Sequence, residues 1–402
     1  MLRRRCNMKQ FSLETGKFLL LDGATGSNLI AAGMPAGVCV EQWILEHPHV
    51  LTDLQKSFET AGTMVLTAPT FGASPEKLSA YGLKEQTGEF NQQLVALSKE
   101  ASKNALVAGD VSPSGLFLQP MGEATFQQLV AIYDEQVAAL KQAGVDLILI
   151  ETQMTLADAR AALLCANKYE LPALVTITLE QGGKTLSGLS LSSAVVILQA
   201  MGAKGVGLNC SCGPVSMGAA LKEARPYAKV PLIAKPNAGE PGNPLPAEEF
   251  GKAAAALADC GAMILGGCCG TTPEHIAALT QNLREYTPLP LENDGKEYLA
   301  DERRIYEIPE EITSETFACD EDLMDNFMDV DEDTNLIVLT LSTPQDAENL
   351  VDALPFCKLP VCFSSQREDA LEAALQTYQG RAFITGEGAT QSLCHRYGAI
   401  LQ

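Results

Sequence analysis

Short apolar runs recur through the first two-thirds of the chain, and each is followed by a turn and a longer stretch of helical spacing. The runs fall at residues 18–27, 64–70, 105–111, 146–152, 173–179, 205–210, 231–237 and 262–267. Helical patterns follow many of them, most clearly at 75–103, 126–142, 157–167 and 273–284. Continuous rather than alternating apolar strands imply a parallel sheet buried on both faces. Eight such strands alternating with helices predict an α/β fold, a (β/α)8 TIM barrel over residues 1–286.

The pattern changes after residue 286. Residues 287–335 are rich in acids, as in Asp320-Glu321-Asp322 and Asp331-Glu332-Asp333, and are expected to form an acidic linker, ordered in part at most. Apolar runs resume at 336–341, 361–363 and 382–384 with helical patterns between them. That predicts a small βαβαβ unit over 336–402, too short to close a barrel of its own. One of its faces is expected to pack on the barrel or on another subunit, and a homo-oligomer is compatible with this.

Composition narrows the function. A net charge of −22 over 402 residues argues against nucleic acid and anionic membrane surfaces as partners. No apolar run has the length of a membrane span. The basic start Met1-Leu2-Arg3-Arg4-Arg5-Cys6 is not followed by the apolar core of a signal peptide, so a cytoplasmic protein is expected. Twelve cysteines in so long a chain are not a secreted disulfide framework.

Two of those cysteines are adjacent. Gly266-Gly267-Cys268-Cys269-Gly270-Thr271-Thr272-Pro273 ends an apolar strand and opens a helix. Neighbouring strand residues point to opposite faces, so two thiols can share a ligand only where the chain turns. Cys210 also ends an apolar strand, in Gly207-Leu208-Asn209-Cys210-Ser211-Cys212-Gly213-Pro214. Cys210, Cys268 and Cys269 together predict a zinc site with one open position, the arrangement of a catalytic metal. Cys212 is the competing thiol and is read as a bystander. His275 is expected to cap its helix or face solvent. Cys39, Cys165, Cys260, Cys357, Cys362 and Cys394 are expected to be small buried hydrophobes. In a (β/α)8 barrel the site lies at the C-terminal ends of the strands, which places Asp22, Glu151, Cys210, Asn237, Cys268 and Cys269 around one rim.

These motifs resemble a known family. Gly207 to Ser211 with Gly213-Pro214, Pro236-Asn237-Ala238-Gly239 and Gly266 to Thr271 look like the zinc-dependent homocysteine S-methyltransferases. Asp22-Gly23-Ala24-Thr25-Gly26, Thr70-Phe71-Gly72-Ala73, Gly109-Asp110-Val111 and Glu151-Thr152 agree with it. Within the family, the chain is most similar to the N-terminal homocysteine-binding barrel of cobalamin-dependent methionine synthase. The resemblance implies methyl transfer to the thiol of homocysteine, which zinc converts to a thiolate. It implies Asp22 and Glu151 as partners of the substrate ammonium, amides of Ala24 and Thr25 as partners of its carboxylate, and Asn237 among the substrate residues. The alternative for both acids is N-capping of the helices that follow. Gln153 stands where relatives usually carry an aromatic residue.

Residues 359–365, 370–375 and 380–382 resemble part of the pterin-binding barrel of methionine synthase, with Phe363 where that family places an Asp. Loss of the carboxylate argues against folate binding. The chain has no Asp-x-His-x-x-Gly motif of a cobalamin ligand, so a methyl-corrinoid must arrive in trans on another protein. The expected reaction is therefore zinc-dependent methylation of homocysteine to methionine from a corrinoid-carrying partner. A small-molecule donor such as S-methylmethionine or betaine is the alternative, and an inactive zinc-binding scaffold the remote one.

Overall fold

The computed structural model describes residues 16–402 apart from positions 120, 181, 186, 241 and 293. The basic stretch at residues 1–6 lies outside the described residues.

Eight parallel strands form the first sheet: β1 (Leu19–Leu20), β2 (Val65–Ala68), β3 (Leu106–Val111), β4 (Leu147–Gln153), β5 (Ala173–Ile177), β6 (Gly205–Asn209), β7 (Leu232–Lys235) and β8 (Ala262–Leu265). Each pairs with its sequence neighbour from β2 to β8, and β8 pairs with β1. A bridge between Leu21 and Val65 joins β1 to β2 and closes the ring. This is the expected (β/α)8 barrel. Its interior is filled by one face of the strands, including Leu19, Leu21, Val65, Ala108, Leu149, Leu174, Ile233 and Ile264. Gly207 is required there: a Cβ at this position would lie 2.0 Å from the Ile233 carbonyl oxygen. The opposite faces pack on the helical ring in a much larger core.

The stretch 75–103 is not one helix. It breaks into Pro75–Ser79, a 3-10 turn and Thr87–Ala101, with Gly82 in the left-handed region at φ 71°. The helix after β8 starts at Pro273, capped by Thr272 and His275. No helix among the described residues is long and apolar enough to cross a membrane.

The C-terminal third differs from the expected linker and three-stranded unit. A hairpin, β9 (Tyr298–Ala300) and β10 (Ile305–Glu307), lies inside the acidic stretch. So does β11 (Ser314–Ala318), which pairs in parallel with β12 (Leu336–Thr340). The sheet continues through β13 (Val361–Ser364) and β14 (Phe383–Thr385) to β15 (Ile400–Leu401), five parallel strands in chain order. β11 is an edge strand whose exposed face is Ser314, Thr316 and Ala318 and whose inner face holds Glu315 beside Phe317, so it carries no apolar run.

This unit packs on the barrel. Arg160, on the helix Leu156–Lys168, is fully buried and donates to Gln379 Oε1 at 2.8 Å and to the Leu375 carbonyl at 2.9 Å. The Phe126 and Tyr397 rings flank its guanidinium. The Asp301–Arg304 turn of the hairpin meets the loop after β5, where the Ser190 amide donates to the Glu302 carbonyl. Phe363 is buried and sits edge-to-face on Tyr378.

Candidate metal and substrate site

The loops after β6, β7 and β8 are stitched together by their backbones. Cys210 N–H donates to the Lys235 carbonyl at 3.1 Å, Cys268 N–H to Pro236 at 2.8 Å, and Ala238 N–H to Cys269 at 2.9 Å. Cys210 and Ser211 adopt left-handed φ values of 62° and 60°. For residues with a Cβ this costs on the order of 1 kcal/mol each, a strain of the kind found at functional sites. The turn swings the Cys210 side chain off the strand direction and toward the β8 loop.

There it meets Cys268 and Cys269. The three sulfurs lie within 4.8 Å of one another, with Cys210 and Cys269 Sγ 3.9 Å apart. Three thiolates on a tetrahedral zinc, at about 2.3 Å each, would stand about 3.8 Å apart. The donor set and its spacing therefore fit zinc. Hydrogen bonds from Cys268 and then Cys269 draw the Cys210 thiol well down, and the same contacts hold Cys268 and Cys269 up. Cys212 lies outside this trio, and burial pushes its thiol up to about 11. His275 caps its helix and turns its other ring nitrogen to the Leu245 carbonyl at 3.1 Å. Of the six cysteines read as buried, Cys357 is only half-buried and the others are buried.

Beside the sulfurs, a cavity of about 600 Å³ opens at the C-terminal end of the barrel, lined by residues 23–27, Phe71, Lys77, Asp110, Glu151, Lys235 and the three cysteines. Neither expected acid caps a helix. Asp22 is sealed at 1% exposure and accepts from the Thr67 amide and hydroxyl, both at 2.7 Å. Glu151 pairs with Lys235 at 2.5 Å. Burial raises the Asp22 carboxyl, with Lys235 opposing. Burial and then Glu151 raise Asp110 well above the ordinary range. Burial alone would lower Lys235, but Glu151, Asp22, Cys268 and Asp110 together hold it above its ordinary value.

Three substrate residues are placed differently from expectation. Asp22 does not line the cavity, and both its carboxylate oxygens are taken by Thr67. The Ala24 amide donates to Thr271 Oγ1 at 3.0 Å and is already engaged; Thr25 remains in the cavity wall. Asn237 is close enough to Cys210 to help lower its thiol, but it is not among the residues lining the cavity. Gln153 turns its amide into the barrel wall toward Val111 and Glu151 carbonyls.

Sequence reasoning missed four residues. Lys235, at 2% exposure, is the counter-ion of the acid cluster. A lysine ending an apolar strand was the available signal. Asn209 accepts from the Thr152 amide and Thr176 hydroxyl, both at 2.8 Å, and donates to Thr152 Oγ1 at 2.7 Å. It thereby holds Thr152, itself at φ 62°, and its side-chain amide also reaches the Cys268 sulfur at 3.8 Å. Asp110 was visible only as part of a motif, and Lys77 only as one position in the helical stretch 75–103.

The profile of the homocysteine S-methyltransferases matches residues 19–283, the whole barrel. The chain belongs to this family. It is 27% identical over 326 residues to methionine synthase of Mycobacterium tuberculosis, covering 70% of this chain and 27% of that one. With methionine synthase of Mycobacterium leprae it shares 28% over 282 residues, 63% of this chain and 23% of the relative. The chain thus spans about a quarter of the length of the curated relatives it matches. Among solved structures, the metallated form of the Escherichia coli homocysteine methyltransferase MmuM superposes with a TM-score of 0.59 at 26% identity, over 67% of this chain and 97% of that one. Its oxidized form gives 0.58 at 27% identity, over 66% and 95%.

Proposed function

We propose that this protein methylates the thiol of homocysteine to give methionine, with zinc held by Cys210, Cys268 and Cys269. The observation that carries the reading is the junction of two features in one cavity: three sulfurs at zinc spacing, and a carboxylate-lined wall suited to an ammonium. When bound, zinc lowers the pKa of a coordinated thiol and so supplies the nucleophile at neutral pH. The chain's own residues bind and orient. Glu151, on the cavity wall, attracts the substrate ammonium, Asp22 adds negative charge from behind that wall, and Lys235 keeps the acids from repelling one another. The turn at Thr25 faces the carboxylate end.

The methyl donor is proposed to be a methyl-corrinoid on a separate protein. Support comes from the matches to methionine synthases, which this chain covers only in part. Phe363, where the resemblance expects a pterin-binding Asp, is spent on packing against Tyr378. Departure of cobalt(I) needs no general acid, and His275 is occupied as a cap. A small-molecule donor is the second reading, favoured by the near-complete coverage of MmuM.

A donor panel with homocysteine as acceptor separates them. Free methylcobalamin should support slow turnover, accelerated when the corrinoid is presented on a protein that orients it. Fast turnover with S-methylmethionine or betaine, and none with any methyl-corrinoid, selects the second reading.

A further inference from the structure

The cavity holds two lysines in contrasting states. Lys235 is sealed and paired with Glu151. Lys77, on the short helix Pro75–Ser79, is half-buried, and no carboxylate among the described residues comes within 4.0 Å of its Nζ. Its ammonium lies over the Phe71 ring, 4.5 Å from the centroid. Burial lowers its pKa, while Asp110, Glu41 and Asp158 oppose that from a distance. The nearby Glu41 carboxylate is committed elsewhere: it accepts from the Gly72 amide at 2.8 Å and from the Cys39 thiol.

A cation taken partly out of water without a partner is costly, and the cost is recovered when an anion arrives. The same wall carries Thr25, Gly26 and Ser27, while the Ala24 amide is spent on Thr271. Asp110, Glu151 and Lys235 line the cavity too, and Asp110 Oδ1 is buried with no hydrogen-bond partner. The cavity thus has acids suited to an amine and one cation left for a carboxylate.

We propose that Lys77 recognises the substrate carboxylate and so makes the site selective for a zwitterionic α-amino-acid thiol. This rests on the reading of homocysteine as substrate. A charge-assisted hydrogen bond of this kind should favour homocysteine over the same thiol lacking the carboxylate by about 10- to 100-fold.

The test is calorimetric binding to the full chain loaded with one equivalent of zinc. Three thiols are compared: homocysteine, 3-aminopropane-1-thiol, which lacks the carboxylate, and 4-sulfanylbutanoate, which lacks the amine. In the unaltered protein homocysteine should bind about 10- to 100-fold tighter than the aminothiol. Lys77→Met should lose most of that advantage, leave the aminothiol unaffected and retain zinc; Lys77→Arg should restore part of it. Equal affinity of the unaltered protein for homocysteine and the aminothiol overturns the proposal without any variant. So does a Lys77→Met variant that weakens both thiols alike or keeps its preference. If none of the three thiols binds the zinc-loaded chain, the homocysteine reading itself fails and this inference with it.

Discussion

Lys235 Nζ stands 2.5 Å from Glu151 Oε2 at the mouth of the barrel, with only 3% and 12% of the two side chains exposed. Asp22 and Asp110 flank the pair, so one internal cation serves three acids. The mouth is an anionic well already partly neutralised, with room for one more positive group. This arrangement fits the proposed ammonium site better than a strut in the fold, because a structural ion pair would not need the extra acids.

Removing one partner of such a pair leaves the other charge buried and uncompensated. Lys235→Met should therefore destabilise the protein by about 3–5 kcal/mol, and Glu151→Gln by somewhat less. The double variant should be more stable than the sum of the two losses predicts. Urea unfolding of the four proteins measures the coupling; additive losses would show that the pair does not act as a unit. Glu151→Gln should also weaken homocysteine binding while leaving zinc in place.

Under the proposed ligand set each of the three sulfurs is needed for the metal. Purified protein should carry about one zinc per chain, and Cys210→Ala, Cys268→Ala or Cys269→Ala should each lose most of it. Cys212→Ala should keep it, since this thiol lies outside the trio. Elemental analysis after dialysis decides the matter. Full zinc occupancy in Cys269→Ala would falsify the ligand set.

Continuous apolar runs made the barrel legible, because strands buried on both faces leave an unambiguous trace. The convergence of Cys210, Cys268 and Cys269 was legible for a related reason: thiols at the ends of two such strands must meet on one rim. The edge strand Ser314–Ala318 was not, since one face meets solvent and its acidic surroundings resemble a tether. Lys235 was hidden by its setting. A charge at the end of an apolar strand reads as a boundary until the acids around it are known. Ala24 could not have been placed from sequence, because Thr271, which takes its amide, is 247 residues away.

Arg160 couples the C-terminal unit to the barrel through the Gln379 side chain and the Leu375 carbonyl, with no carboxylate bonded to it among the described residues. Burial lowers its pKa to about 10. Arg160→Met should cost about 2–4 kcal/mol, because it strands two acceptors and opens the junction. Arg160→Lys should rescue little, since one ammonium cannot reproduce the planar fork. Hydrogen exchange should rise first in Glu368–Tyr378, the helix that supplies the Leu375 carbonyl. Uniform loss of protection across the barrel would show instead that Arg160 supports the whole fold.

Asp110 offers a pH signature for the acid cluster. Burial first, and Glu151 second, raise its carboxyl well above the ordinary value of 3.8. An acid whose pKa is raised on folding favours the folded state while protonated. That contribution is fully present below the unfolded value and is lost as pH rises through the folded one. Asp22 is shifted in the same direction. In Asp110→Asn the side chain stays neutral at every pH, so its share of the loss disappears. The variant should match the unaltered protein near pH 4 and gain on it as pH rises, by up to about 1.4 kcal/mol per pH unit within the titration window. Urea midpoints of both proteins, taken metal-free under reducing conditions from pH 4 to 8, give the difference directly, and contributions common to both largely cancel. A difference that stays flat or shrinks with rising pH would mean that Asp110 is ionised in the fold at low cost, with Lys235 already meeting its charge.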